Sequence, residues 1–213
     1  MTKTILCYGD SLTWGYNAVG PSRHAYEDRW PSVLQAELGN GVRIIADGLN
    51  GRTTAFDDHL TAADRNGART LGTALLTHAP LDLVIVMLGA NDMKPQIHGS
   101  PAVAKYGMLR LVEIIRGTDY GFGWKAPGIL LVSPPAVSKT DDAEFSQFFA
   151  GGPEASRELA RYYAELAEMT GTGFFDAGSV AETTPLDGVH LDAENTRAVG
   201  RGLAPVVRKM LAL

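Results

Sequence analysis

The stretch Thr4-Ile5-Leu6-Cys7-Tyr8-Gly9-Asp10-Ser11-Leu12-Thr13-Trp14-Gly15 decides how the rest of the chain is read. A short apolar run halted by Gly9 and Asp10 has the form of a β-strand buried on both faces. Gly9 permits a sharp bend where that strand ends. If a helix starts beyond Ser11, unpaired backbone N–H groups and the positive end of the helix dipole surround the serine hydroxyl. A developing negative charge is favoured there, which makes Ser11 a candidate nucleophile. Serine is equally an ordinary helix N-cap, so the chemistry depends on whether partners for it appear further along.

Outward from this stretch, strands and helices alternate. Trp30, Val33, Leu34 and Leu38 recur at helical spacing, with Pro31 tolerated in the first turn and Gly39-Asn40-Gly41 as a stop. Residues 42–46 read as a second strand leaving through Asp47-Gly48-Leu49-Asn50-Gly51-Arg52-Thr53. Residues 56–65 read as irregular, and Ala68, Leu71, Leu75 and Leu76 mark a helix closed by Pro80. Leu83-Val84-Ile85-Val86-Met87-Leu88 is a continuous β-branched run that exits through Gly89-Ala90-Asn91-Asp92. Helices are expected over 101–116 and 156–169, strands over 128–133 and 174–176, and a last helix over 193–211 capped by Asp192. Residues 17–28, with Gly20-Pro21, read as a loop. The aromatics Tyr120, Phe122 and Trp124 among glycines suggest a substrate lid or a subunit contact.

Alternating strands and helices imply a parallel sheet with right-handed crossovers and helices on both faces. The expected fold is therefore α/β, a three-layer α/β/α sandwich on a five-stranded parallel sheet, occupying residues 1–213 as a single domain. The 213 residues, 45% hydrophobic and 20% charged, suit one soluble globular core. A net charge of -5 argues against nucleic acid or anionic lipid as partner. Cys7 is the single cysteine, so no intrachain disulfide and no Cys-rich metal site is expected. No run approaches the roughly eighteen apolar residues of a membrane span, and the expected location is the cytoplasm.

In such a sheet ligands bind beyond the carboxyl ends of the strands. Ser11, Gly51, Asn91 and Asp187-Gly188-Val189-His190 all follow strands and converge on one edge. A serine hydroxyl needs a base, and histidine suits neutral pH. Of the five histidines, His24, His59, His78 and His98 lie in expected loops or at a helix end and read as surface residues. His190 has Asp187 three residues before it, close enough to fix its tautomer and stabilise the imidazolium. Backbone N–H groups of Ser11 and Gly51 with the Asn91 amide could form an oxyanion hole. Gly121-x-Gly123-x-x-Ala126 leads into a strand rather than out of one, so a dinucleotide fingerprint is rejected. Gly-x-Ser-x-Gly, a P-loop and His-Glu-x-x-His are absent.

Gly9-Asp10-Ser11-Leu12, Gly51, Gly89-x-Asn91-Asp92 and Asp187-x-x-His190, in this order, resemble the blocks of the SGNH (GDSL) hydrolase family. The finer match through Thr13-Trp14-Gly15, Leu49-x-x-Arg52-Thr53-Thr54 and Asp176-Ala177-Gly178-Ser179 is similar to its bacterial arylesterase and acyltransferase branch, though Ala90 stands where that branch often has threonine. The resemblance implies a flavodoxin-like SGNH hydrolase fold and a serine esterase acting on short-chain aryl or alkyl esters through an acyl-serine that water or another alcohol resolves, the latter giving acyltransferase activity. It implies Ser11 as nucleophile, His190 as base, Asp187 as its orienter, and Ser11, Gly51 and Asn91 as the oxyanion hole. It also implies a pocket of Leu12, Trp14, Lys94, Phe145, Phe149 and Val189, no cofactor or metal, and a homo-oligomer, octamers being known in the branch. The same triad would serve a carbohydrate acetylesterase or a thioesterase. The reading from a different class is a flavodoxin-like binding module in which Ser11 is only a cap.

Overall fold

The computed structural model describes residues 2–20 and 22–213, so the expectation at Pro21 lies outside the described residues. β1 (Lys3–Gly9) runs into a one-turn helix α1 (Ser11–Trp14), and a two-stranded antiparallel ribbon follows, β2 (Tyr16–Asn17) and β3 (Ser22–Arg23). Then come α2 (Trp30–Leu38), β4 (Val42–Gly48), α3 (Gly67–His78), β5 (Leu83–Met87), α4 (Pro101–Gly117) and β6 (Gly128–Ser133). The chain closes with α5 (Ala143–Phe148), α6 (Gly152–Ala155), α7 (Leu159–Thr170), β7 (Gly173–Asp176) and α8 (Ala193–Leu211).

The main sheet has five parallel strands in the order β4-β1-β5-β6-β7. Alternation along each strand splits the core in two. Leu6, Tyr8, Val84, Val86 and Leu131 face α3, α4 and α7 through Leu71, Leu75, Met108, Leu111, Ile115, Tyr163 and Leu166. Ile5, Cys7, Ile85, Met87 and Val132 face α2 and α8 through Trp30, Leu34, Val199, Leu203 and Val207. β1 and β5 are buried on both faces, which is why their sequences run apolar without alternation. The chain runs outward from β1 to β4, then crosses back past β1 to β5 and on through β6 to β7. The switch point lies between β1 and β5, where a crevice opens at the strand ends.

Several expectations need correction. His24 is buried, with its Nε2 3.0 Å from the Leu191 carbonyl oxygen. The half-buried His98 has its Nε2 3.4 Å from Asp92 and accepts the Ser100 N–H on Nδ1. The His24 ring is covered from a distant segment, which a local reading does not see; His98 bonds within its own loop and is packed by the Phe56 ring, edge-on at 4.4 Å. Residues 118–127 precede β6 and therefore sit at the amino edge of the sheet, opposite Ser11. A lid role is ruled out for them, although Phe122 is 90% exposed. Residues 17–28 hold the β2–β3 ribbon and a 3-10 turn (Tyr26–Asp28) rather than plain loop. Among the described residues no helix is long and apolar enough to cross a membrane.

Candidate active site

β1 delivers Ser11 to the carboxyl edge of the sheet. Gly9 is required at its end by close approach: a Cβ there would stand 2.8 Å from the Met87 carbonyl oxygen and on top of Thr13 Oγ1. Asp10, not Ser11, caps α1, its Oδ1 accepting the Leu12 N–H at 2.9 Å. The hydroxyl of Ser11 is therefore not used as a cap. With one turn, α1 contributes little dipole, and what it offers is its free N–H groups.

Ser11 Oγ lies 2.9 Å from His190 Nε2. His190 Nδ1 lies 2.6 Å from Asp187 Oδ2. Asp187 Oδ1 accepts the Val189 and His190 N–H groups, each at 2.9 Å. A carboxylate only accepts, so Nδ1 carries the proton towards Asp187 and leaves Nε2 free to accept from Ser11. Burial pushes the Asp187 carboxyl up, but the hydrogen bond and charge of His190, helped by the two N–H groups, outweigh it and hold the group below its ordinary value. The ring of Tyr16 stacks on His190 with centroids 4.0 Å apart, and Phe145 meets it edge-on at 5.9 Å. The imidazole is thus held on two sides as well as through Nδ1.

Gly51 follows β4 with φ +82°, a left-handed conformation in which glycine is unstrained. Its N–H has no acceptor among the described residues. Asn91, in the 3-10 turn Asn91–Met93 after β5, points Nδ2 at Asp10 Oδ2 (3.3 Å) and at the Arg52 carbonyl oxygen (3.2 Å). Both contacts are at the long end of hydrogen bonding, so a proton of that amide is loosely held. Arg52 fastens the β4 exit by donating to Gly9 O, Asp47 O and Asp47 Oδ1 at 2.7–2.9 Å, with its guanidinium 4.0 Å over the Tyr8 ring. Asp10 is buried, and desolvation pushes its carboxyl up to about 6, against the pull of the Leu12 N–H, His190 and Arg52.

Ser11, His190, Gly51 and Asn91 line one cavity of about 140 Å³, with Lys94, Phe145, Phe149 and Val189. Two residues expected there are elsewhere. Leu12 packs under the sheet with Ile5, Cys7 and Trp30, because α1 turns that face inward. Trp14 turns outward and carries the Arg23 guanidinium 4.6 Å over its ring. The cavity also takes Tyr16, Asn50 and Arg65, which the sequence reading missed. For Tyr16 the usable sequence signal is only that it follows the Ser11 block directly; Arg65, in an aperiodic loop, gave none. Among the described residues no group of three or more His, Cys, Asp or Glu side chains could hold a metal ion.

Residues 7–198 match the model of the GDSL-like lipase/acylhydrolase family. Among solved structures, a carbohydrate acetylesterase family member from Sinorhizobium meliloti is 62% identical, with 100% of each chain covered and a TM-score of 0.98. The native M. smegmatis aryl esterase is 42% identical over 99% of this chain and 100% of that one, with a TM-score of 0.94. A second carbohydrate acetylesterase from Sinorhizobium meliloti is 40% identical over 98% of this chain and 100% of its own, again with a TM-score of 0.94. No curated protein matches the chain.

Proposed function

The chain belongs to the GDSL-like lipase/acylhydrolase family, and from that premise we propose that it cleaves short-chain carboxylic esters with Ser11 as nucleophile, His190 as general base and Asp187 as the group that orients it. The observation that carries the assignment is the unbroken relay Asp187–His190–Ser11, at 2.6 and 2.9 Å, on the wall of a small cavity. As the Ser11 oxygen attacks the ester carbonyl, Nε2 of His190 takes its proton, and the resulting imidazolium is stabilised by Asp187. The carbonyl oxygen becomes an oxyanion that accepts from the N–H groups of Ser11 and Gly51 and from the Asn91 amide. Asn91 meets it by giving up one of its two long contacts. The tetrahedral species collapses as His190 returns the proton to the leaving alcohol, and acyl-Ser11 remains. Water, or a second alcohol, repeats the sequence in reverse.

A cavity of about 140 Å³ is well below the ~300–1,000 Å³ that holds drug-sized ligands, which favours short acyl groups. The rings of Phe145 and Phe149 favour aryl or alkyl esters. Acetylated carbohydrates are the second reading, supported by the 62% identity to a carbohydrate acetylesterase family member and by the polar wall of Asn50, Arg65 and Lys94. The reading extends to one domain over residues 1–213, a cytoplasmic location, and a homo-oligomer for which the exposed Phe122 and Trp124 offer a contact surface; light scattering on the purified protein tests the last of these. Turnover of 4-nitrophenyl acetate by the intact protein, abolished in Ser11→Ala, is the expected result for the core assignment. Full activity in that variant would refute it.

A further inference from the structure

The active-site cavity has an apolar side and a cationic side, and the cationic side has no role in the acyl transfer just described. Lys94 follows the 3-10 turn that carries Asn91, and its Nζ sits 5.4 Å from the Phe149 ring centroid. Arg65 reaches the same cavity from the loop before α3 and lies against Gly51, where an added Cβ would stand 2.5 Å from Arg65 Nε. One carboxylate serves these two cations. Asp58, almost wholly buried, is taken by Arg65 at 2.8 Å.

The other acidic groups near Lys94 are committed elsewhere. Asp10 caps α1 and faces Asn91. Asp92 is held by the hydroxyl and N–H of Thr54 with His98 alongside, and Asp187 by His190. Among the described residues, the Lys94 ammonium makes no ion pair or side-chain hydrogen bond, although it is half-buried on the wall of the active-site cavity. Burial lowers its affinity for the proton and Arg65 lowers it further, against the pull of Asp58, Asp10 and Asp92. A partly desolvated ammonium without a partner is costly, and a substrate oxygen that supplies the missing acceptor gains a charge-assisted hydrogen bond.

We propose that Lys94, with Arg65 beside it, selects esters that carry a carboxylate a few atoms from the scissile bond, such as half-esters of short dicarboxylic acids or acetyl esters of hydroxy acids. The proposal rests on Ser11 being the nucleophile, since that fixes where the ester carbonyl sits relative to the two cations. The carboxylate enters and leaves unchanged; it contributes binding and orientation and takes no part in the chemical steps.

The test compares kcat/KM within two matched pairs of substrates. Monomethyl succinate against methyl butyrate, followed by acid release, places the charge on the acyl side. 3-Carboxyphenyl acetate against phenyl acetate places it on the alcohol side. In the intact protein one pair should show a preference of about ten- to a hundredfold for the anionic member, the range expected of a hydrogen bond to a charged group. That ratio should fall towards one in Lys94→Met and be largely kept in Lys94→Arg. Taking ratios cancels a general loss of activity in a variant. As a measurement that needs no variant, butyrate should inhibit turnover of phenyl acetate competitively, and at lower concentration than butyramide.

A ratio near one in both pairs for the intact protein, a preference that survives in Lys94→Met, or equal inhibition by butyrate and butyramide would overturn the proposal. Those results leave Ser11-dependent turnover of the neutral esters in place. Failure of the nucleophile assignment would instead appear as neutral-ester turnover that persists in Ser11→Ala.

Discussion

Replacing Asp10 with asparagine should remove a loss of stability that the parent suffers as pH rises from acid to neutral. Burial lifts the Asp10 carboxyl from 3.8 to about 6, a rise of 6 − 3.8 = 2.2. The folded chain therefore binds this proton more tightly than the unfolded chain. The contribution of Asp10 to stability is fully present below pH 3.8 and is lost as pH climbs through about 6. At ~1.36 kcal/mol per pH unit the whole loss is about 3 kcal/mol, of which roughly 2 falls between pH 4 and pH 7. Asparagine cannot ionise and its carbonyl can still accept the Leu12 N–H that caps α1, while its NH2 replaces the oxygen that accepted from Asn91 Nδ2, a cost that is the same at every pH. Urea unfolding of both proteins at pH 4, 5.5 and 7 measures this directly. The stability gap, asparagine variant minus parent, should widen by about 2 kcal/mol from the lowest to the highest pH, an effect on the order of 5 °C in Tm for a chain of this size. A gap that is constant with pH, or that narrows as pH rises, would refute the reasoning, because it would mean that Asp10 is not held in a desolvated site.

Two further substitutions probe the relay and the oxyanion donors. Asp187→Asn keeps the shape but offers His190 Nδ1 an amide that can turn its N–H towards the ring, favouring the wrong tautomer. kcat for 4-nitrophenyl acetate should fall by about 10⁴; a loss under tenfold would show that His190 is oriented by Tyr16 and Phe145 alone. Asn91→Ala removes one oxyanion donor, so kcat should drop by about 10²–10³ with KM little moved, and a change confined to KM would assign Asn91 to ground-state binding instead.

How far the sequence reveals this protein depends on whether a signal is local. The strands β1 and β5 are legible because both faces are buried, which leaves uninterrupted apolar runs ended by Gly9-Asp10 and Gly89-Ala90. The last helix is legible to its ends because Asp192 caps it, accepting the Asn195 N–H at 2.8 Å. Ser11, Asp187 and His190 could be brought to one edge from strand order alone. The helices α5 and α6 were not legible: they are short, and Gly151-Gly152-Pro153 interrupts any period. The cavity walls were the least legible part. Leu12 follows the serine in sequence but a helical step of about 100° turns it into the core, and Trp14 lies outside the cavity, where it carries the Arg23 guanidinium. Arg65 reaches the site only because Gly51 leaves room for its guanidinium, and no residue near Arg65 announces that contact. The covering of His24 and His98 likewise comes from partners elsewhere in the chain, the Leu191 carbonyl in one case and the Phe56 ring in the other.

The central claim is that the Ser11 hydroxyl, activated by His190, forms the covalent bond to the acyl group. Reaction with a dialkyl fluorophosphate, followed by intact-mass and peptide analysis, tests it most directly. One dialkylphosphoryl group per chain should appear on the peptide containing Ser11, in step with loss of esterase activity, and labelling should slow by orders of magnitude in His190→Gln. Full loss of activity with Ser11 unmodified, or full modification of Ser11 with activity retained, would contradict it.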